Sequence, residues 1–130
     1  SQFKMTKKEM TKRIIKAMNN PHVDIISHPT GRLIGRREEY DINFEEIVRE
    51  AKNTGTVLEI NSYPKRLDLR DNHIHLALEK GVKMIINTDA HHKDQMRFFH
   101  FGVAQARRGW ARKKDIINTF TVEKLLDLLK

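Results

Sequence analysis

Three short apolar runs, each ending in polar residues and each set off by a helical pattern, constrain this chain most. Val23-Asp24-Ile25-Ile26 leads into Ser27-His28-Pro29, and Thr56-Val57-Leu58-Glu59-Ile60-Asn61 repeats the form. Val82-Lys83-Met84-Ile85-Ile86-Asn87 repeats it again and runs into Thr88-Asp89-Ala90-His91. β-Branched residues favour strands, and runs this short suit strands buried on both faces. Helical stripes alternate with them. Thr6 and Glu9 have the spacing of a capping box, followed by Met10, Ile14, Ala17 and Met18, and Asn19-Asn20-Pro21 ends the stripe. Asn43 and Glu46 repeat the signal before Phe44, Ile47, Val48 and Ala51, with Gly55 as the stop. Asp71 is expected to cap a third helix reaching Lys80, and Gly81 to end it. Beyond His91 the pattern predicts helices from Asp94, from Phe99 to Arg107, from Asp115 to Asn118 and from Thr121 to Lys130. The last carries Leu125, Leu126, Leu128 and Leu129, and Gly109-Trp110 marks a turn. Alternating helices and strands predict an α/β fold: a parallel sheet or part of a β/α barrel.

Length and composition bound the rest. A chain of 130 residues without a linker, repeat or low-complexity tract reads as one domain, residues 1–130. The longest uninterrupted apolar stretch among the strands, Met84-Ile85-Ile86, is far too short to span a bilayer, so no membrane partner is expected. Cysteine is absent, which removes disulfides and thiolate ligands, and Ser1-Gln2-Phe3-Lys4-Met5 has no apolar signal region. Both fit a cytoplasmic protein. The formal charge of +8 suits a polyanion such as DNA, or equally a solvated basic surface.

In parallel α/β folds the chemistry collects at the C-terminal ends of the strands, where His28, Asp89 and His91 are expected. Alternate side chains of an extended segment point the same way, so Asp89 and His91 can face one cation. Nitrogen and oxygen donors together suit zinc, manganese or iron better than calcium. A surface Asp and His in a turn is the plain alternative. His73 and His75 also look like a ligand pair, but in a helix residues two apart diverge, so a polar helix surface is expected there. His92 and His100 read as exposed or locally bonded histidines, His92 with an outer role near a metal, and His22 as structural.

Arg32, Arg36 and Arg37 follow His28 in a loop with Gly31 and Gly35. Guanidinium groups bind phosphate oxygens in pairs. Arg32, nearest His28, is the favoured phosphate contact, whereas Arg36 and Arg37 fit phosphate or pairing with Glu38, Glu39 and Asp41 equally. Arg107 and Arg108, with Arg112-Lys113-Lys114, flank Trp110 in a second basic cluster. Cations beside an aromatic ring can hold single-stranded nucleic acid, but in so small a domain Trp110 is expected in the core. Glu59 and Asn61 share a face of the second strand. A carboxylate there needs a partner, either a buried base or a group that positions the site, and Asn61 could line it.

Asp24-Ile25-Ile26-Ser27-His28-Pro29-Thr30-Gly31-Arg32, Leu58-Glu59-Ile60-Asn61, Asn87-Thr88-Asp89-Ala90-His91 and Ala106-Arg107-Arg108-Gly109-Trp110 resemble, in order and spacing, the C-terminal PHP domain of bacterial family X DNA polymerases. The likeness covers about Met10 to Lys130. It implies a distorted β/α barrel with a metal cluster at its C-terminal face, and a manganese-dependent 3′–5′ exonuclease working beside a DNA-repair polymerase. By the resemblance His28, Asp89 and His91 are metal ligands, of Mn²⁺ or Zn²⁺, and Arg32 contacts phosphate. The family's His-x-His and the further Asp, His, Glu and His that precede its His-Pro segment have no counterpart here. The Ser1-Gln2-Phe3 start resembles text just after the last of these.

The chain is therefore expected to be a partial PHP domain, an incomplete barrel lacking its N-terminal part and the polymerase domain. Alone it should be inactive, with weak or no metal binding, and two copies should complete each other's sheet. Two further readings stand beside this one. One is a non-catalytic DNA-binding or structural module, which would bind DNA without stoichiometric metal. The other is a PHP small-molecule phosphatase, which would cleave a phosphomonoester and leave DNA ends alone.

Overall fold

The structure, a computed structural model, describes residues 5–130, so the Ser1-Gln2-Phe3 start lies outside the described residues. Helix α1 spans Lys7–Met18, and the Thr6 hydroxyl accepts the Glu9 backbone N–H at 3.1 Å, as the sequence predicts. Helix α2 spans Phe44–Thr54, and Asn43 Oδ1 accepts the Glu46 N–H at 3.1 Å. Gly55 ends α2 at φ 72°, a left-handed conformation that glycine adopts without cost. Helix α3 spans Asp71–Glu79, and its cap differs from expectation. Arg70 holds the N-cap with no side-chain bond, and Asp71 is the first helical residue, its Oδ1 accepting the Asn72 N–H. A carboxylate there still complements the positive end of the helix dipole. Helices α4 and α5 span Phe99–Arg108 and Val122–Leu128.

Strands β1 (Ile25–Ile26), β2 (Val57–Asn61) and β3 (Met84–Asn87) form a parallel sheet in the order β1-β2-β3. Ile26 stands beside Leu58, Leu58 beside Met84, and Asn61 beside Asn87. All three strands are shorter than the apolar runs that predict them. Every residue of the middle strand β2 is buried, as expected of a parallel strand covered on both faces. Met18, Ile47, Leu58, Ile60, Ile74 and Met84 have no exposed surface and centre the core.

The region after β3 departs most from the sequence reading. A 3₁₀ helix, Lys93–Phe98, takes the place of a helix from Asp94. The helix expected over Asp115–Asn118 is split into two 3₁₀ turns, Lys113–Asp115 and Ile117–Thr119. The cause is tertiary. Ile116 is extended and bridges in parallel to Met84. Asn118 then donates from Nδ2 to Ile86 O at 2.9 Å and accepts the Ile86 N–H on Oδ1 at 2.8 Å. One side chain thus occupies the free edge of β3 as a neighbouring strand would.

At the other side of the sheet, β1 pairs with β2 alone among the described residues. Val122 and Leu126 of α5 are exposed, so the leucine-rich end adds little to the core. Trp110 is not a core residue either; it is 75% exposed. Gly109 presses so close to α3 that a Cβ there would lie 2.4 Å from Ile74 Cγ2, and the chain turns outward at the next residue. Among the described residues no helix is long and apolar enough to cross a membrane.

Candidate functional site

The buried carboxylate of Glu59 organises the C-terminal end of the sheet. It is 4% exposed and lies on the middle strand. Its Oε1 accepts the backbone N–H of His28 at 2.8 Å and Asn61 Nδ2 at 3.0 Å, while Oε2 accepts Asn87 Nδ2 at 2.9 Å. One side chain therefore ties the segment after β1 to the ends of β2 and β3. No buried base is needed, because three N–H donors supply what the buried carboxylate requires. Asn61 does double service, since its Oδ1 accepts the Tyr63 N–H at 3.0 Å and starts the loop after β2.

Both expected ligand segments sit beyond strand ends in unusual backbone. His28 has φ 29° and Asp89 φ 55°, in the left-handed region that non-glycine residues seldom enter. Such strain persists where surrounding bonds dictate it, and the Glu59 bond to His28 is one of these. His28 is half-buried, whereas Asp89 and His91 are exposed. His91 Nδ1 lies 2.8 Å from Asp89 O, which leaves Nε2 as the outward nitrogen. The His91 backbone N–H donates to Gln95 Oε1 at 2.8 Å.

Parallel strands put His28, Asp89 and His91 at one end of the sheet, but β2 separates the first from the other two. Two strand spacings amount to about 10 Å between backbones. Among the described residues no three His, Asp or Glu side chains stand close enough to hold one ion. The donor types fit zinc or manganese; the spacing gives separate donors rather than a finished site.

Asp68 was not marked by any sequence signal. It has no exposed surface, and its Oδ2 accepts the backbone N–H groups of Thr30 and Gly31, each at 3.0 Å. It thereby fixes the Thr30-Gly31 end of the turn whose His28 end Glu59 holds. Burial raises its pKa to about 6, against the lowering effect of those N–H donors and of Arg32. A loop aspartate reads as a surface residue until the backbone it holds is known.

Arg32 Nε donates to Arg66 O at 2.6 Å and its Nη2 to Leu67 O at 2.5 Å. Its guanidinium thus clamps the loop after β2 onto the loop after β1. Arg36 is exposed, and it lines a cavity of about 450 Å³ with Arg32, Arg37, Glu39 and Arg70. Arg37 Nε donates to Gly31 O at 2.9 Å. Arg107 and Arg108 are exposed at the end of α4, and Arg108 Nη2 is 3.8 Å from Asp71 Oδ2.

His73 and His75 do diverge. His75 meets the Trp110 ring, but His73 is not on a polar surface. It stacks on Phe44 with ring centroids 4.1 Å apart, and its Nδ1 is 3.6 Å from Glu39 Oε2. Burial lowers its pKa, opposed by Glu39. His92 caps the Lys93–Phe98 turn and stays exposed, its Nδ1 accepting the Asp94 N–H at 3.3 Å.

No family model matches the chain. Against curated proteins the whole chain is 43% identical over 130 residues to the DNA polymerase/3′–5′ exonuclease PolX of Bacillus subtilis (strain 168). Over its whole length the chain is similar to one segment of that PolX protein. It spans 23% of that PolX relative. It is also 31% identical over 126 residues to a probable phosphatase of Thermoanaerobacter sp. (strain X514), spanning 49% of it. A probable phosphatase of Clostridium acetobutylicum is 36% identical over 92 residues, 35% of its length. The PolX likeness covers every segment of the candidate site, from the β1 tip to the end of α5. Likeness to phosphatases agrees with a phosphoesterase domain of PHP type, and the mixed α/β architecture with its parallel sheet is compatible with part of such a barrel.

Proposed function

We propose that this chain is one side of a PHP-type β/α barrel that cleaves phosphodiesters, the 3′–5′ exonuclease part of a cytoplasmic DNA-repair polymerase. The observation that carries this reading is the Glu59 carboxylate, which joins His28 to Asn61 and Asn87 and so holds three strand ends in register. A catalytic centre needs its groups fixed by such supporting bonds. On this reading His28 and His91 offer imidazole nitrogen and Asp89 offers carboxylate oxygen to Mn²⁺ or Zn²⁺, with the remaining ligands supplied by residues outside this chain. A metal ion there would lower the pKa of a bound water and offset charge on the phosphate.

The chain's own residues orient and hold. Glu59 fixes the His28 backbone, and Asp89 O orients the His91 ring. Asp68 and Arg32 lock the two loops together. Arg36, Arg107 and Arg108 supply positive charge for the DNA backbone. Arg32 reaches phosphate only through whatever donors its two carbonyl bonds leave over. The further ligands of the resembled PHP domains have no counterpart in this sequence, so on this reading the chain alone should not hydrolyse DNA.

The test is manganese-dependent release of nucleotides from DNA 3′ ends by the whole polymerase carrying this chain, compared with its His28→Ala and Asp89→Asn variants. Loss should be at least the roughly 10–100-fold that even outer partners of metal ligands contribute. Variants as fast as the parent would refute the assignment. The phosphatase relatives favour a second reading, a small-molecule phosphomonoesterase. Cleavage of a phosphomonoester by the whole protein, with DNA ends left intact, would select it.

A further inference from the structure

The chain's one tryptophan stands outside the core and outside the strand-end site. Trp110 is 75% exposed and has φ 71°. Exposing an indole gives up burial that would stabilise so small a domain, and a left-handed backbone at a bulky residue adds strain. Gly109 imposes the geometry: its Cα lies so close to α3 that a Cβ would sit 2.4 Å from Ile74 and 3.0 Å from Asp71 O. The Trp110 N–H donates to Arg107 O at 3.0 Å and fixes the turn at the end of α4. The His75 ring meets the indole edge-on, with centroids 5.1 Å apart at 78°. Beside the indole lies a cleft of about 340 Å³ lined by Asp71, Asn72, His75, Arg108 and Trp110.

The surroundings say what such a ring receives. Arg107, Arg108, Arg112, Lys113 and Lys114 are all exposed within four residues of Trp110 in sequence. Among the described residues only Arg108 of these has an acidic side chain within ion-pair distance, Asp71 at 3.8 Å. The hot centre of a protein interface is apolar and poor in charge, which this neighbourhood is not. An aromatic face ringed by cations is the arrangement that holds single-stranded nucleic acid, with bases stacking while lysines and arginines meet phosphates.

We propose that Trp110 is a stacking platform for a base of single-stranded DNA, held by His75, with Arg107, Arg108 and Arg112 on the flanking phosphates. The proposal deepens the DNA reading above and rests on it, because it adds a binding subsite for the same polymer.

Trp110 also reports on the event, since any tryptophan fluorescence of this chain is its own. The chain is titrated with oligothymidylate, and in parallel with an abasic oligomer of the same length, in chelator so that no hydrolysis occurs. Expected are saturable quenching by oligothymidylate and little or none by the abasic oligomer. By anisotropy of a labelled oligothymidylate, Trp110→Ala should bind about tenfold more weakly, and Trp110→Phe close to the parent. The Arg107→Ala/Arg108→Ala pair should lower the salt dependence of binding, by about 1.4 in the slope of log K on log salt. Equal affinity for the abasic oligomer, or saturation without a change in fluorescence, would overturn the proposal and leave phosphate contact alone. These readouts need no catalysis. Quenching without hydrolysis by the whole protein would support the platform while refuting the exonuclease, and hydrolysis without quenching would do the reverse.

Discussion

Glu59 Oε1 accepts the backbone N–H of His28 at 2.8 Å across the boundary between β1 and β2. The bond fixes the backbone of a residue in left-handed conformation, next to the strand end from which its imidazole must work. Removing the carboxylate would leave the His28 N–H and the Asn61 and Asn87 amides without this acceptor. Each unsatisfied buried group costs about 1–3 kcal/mol. Glu59→Ala should therefore lower stability by roughly 3–5 kcal/mol, and Glu59→Gln by about 1–3 kcal/mol, because its amide meets other donors. Urea denaturation of the chain and both variants checks this, and an unchanged midpoint for Glu59→Ala would contradict it.

Asp68 gives the chain a pH dependence of defined sign. Its pKa is raised from 3.8 to about 6 by burial, so the folded state holds the proton more tightly than the unfolded state. Its contribution is complete below about pH 4 and is lost as pH rises through about 6. A rise of that size corresponds to a contribution on the order of 3 kcal/mol. His73 acts oppositely: burial lowers its pKa, so its contribution is present above the ordinary histidine range and lost as pH falls through the folded value. Denaturation midpoints of the parent should fall between about pH 4 and 6 relative to the His73 contribution, and Asp68→Asn should remove that fall. An identical pH profile for both proteins would refute the assignment to Asp68.

Gly102 of α4 rides directly over the ends of β2 and β3. A Cβ there would lie 2.0 Å from Ser62 Oγ and 2.6 Å from Ile86 Cγ2. Gly102→Ala should cost about 1–3 kcal/mol through overpacking, despite alanine's better helix propensity. A thermal midpoint at or above that of the parent would show that α4 can move away.

The β1 edge, unpaired among the described residues, predicts association between copies. Beside it α1 and the β1 tip enclose a groove of about 270 Å³ lined in part by Met10, Ile14, Ala17 and Ile26. An uncovered strand edge invites pairing with another strand, and the occupant we assign is β1 of a second copy of this chain. Light scattering should show a mass that rises with concentration. A constant monomer mass over a wide range would contradict it.

Much of this site was legible in local text. Thr6 and Asn43 cap their helices as their spacing requires, because capping is decided within four residues. His28 and the Asp89–His91 pair stand past strand ends, because apolar runs mark strands and parallel order sets which end is which. The misses share a cause. Asp68 is held in the interior by backbone amides more than thirty residues away, and His73 by Phe44 of another helix. Trp110 is turned outward by contact between Gly109 and α3. The expected Asp115–Asn118 helix gave way to the edge of β3. Each of these depends on where another segment lies, which local spacing does not record. The two carbonyls that Arg32 meets were not legible either, because they belong to a loop with no pattern of its own.

Metal binding by the full-length protein tests the central claim most directly. Manganese is titrated into the parent protein and into a His28→Ala/Asp89→Ala/His91→Ala variant, with bound ion counted by electron paramagnetic resonance. The account predicts stoichiometric binding in the parent and loss of at least one equivalent in the variant, with the fold retained by circular dichroism. Equal stoichiometry and affinity in both would contradict it, and His28, Asp89 and His91 would then be surface residues that share only one end of a sheet.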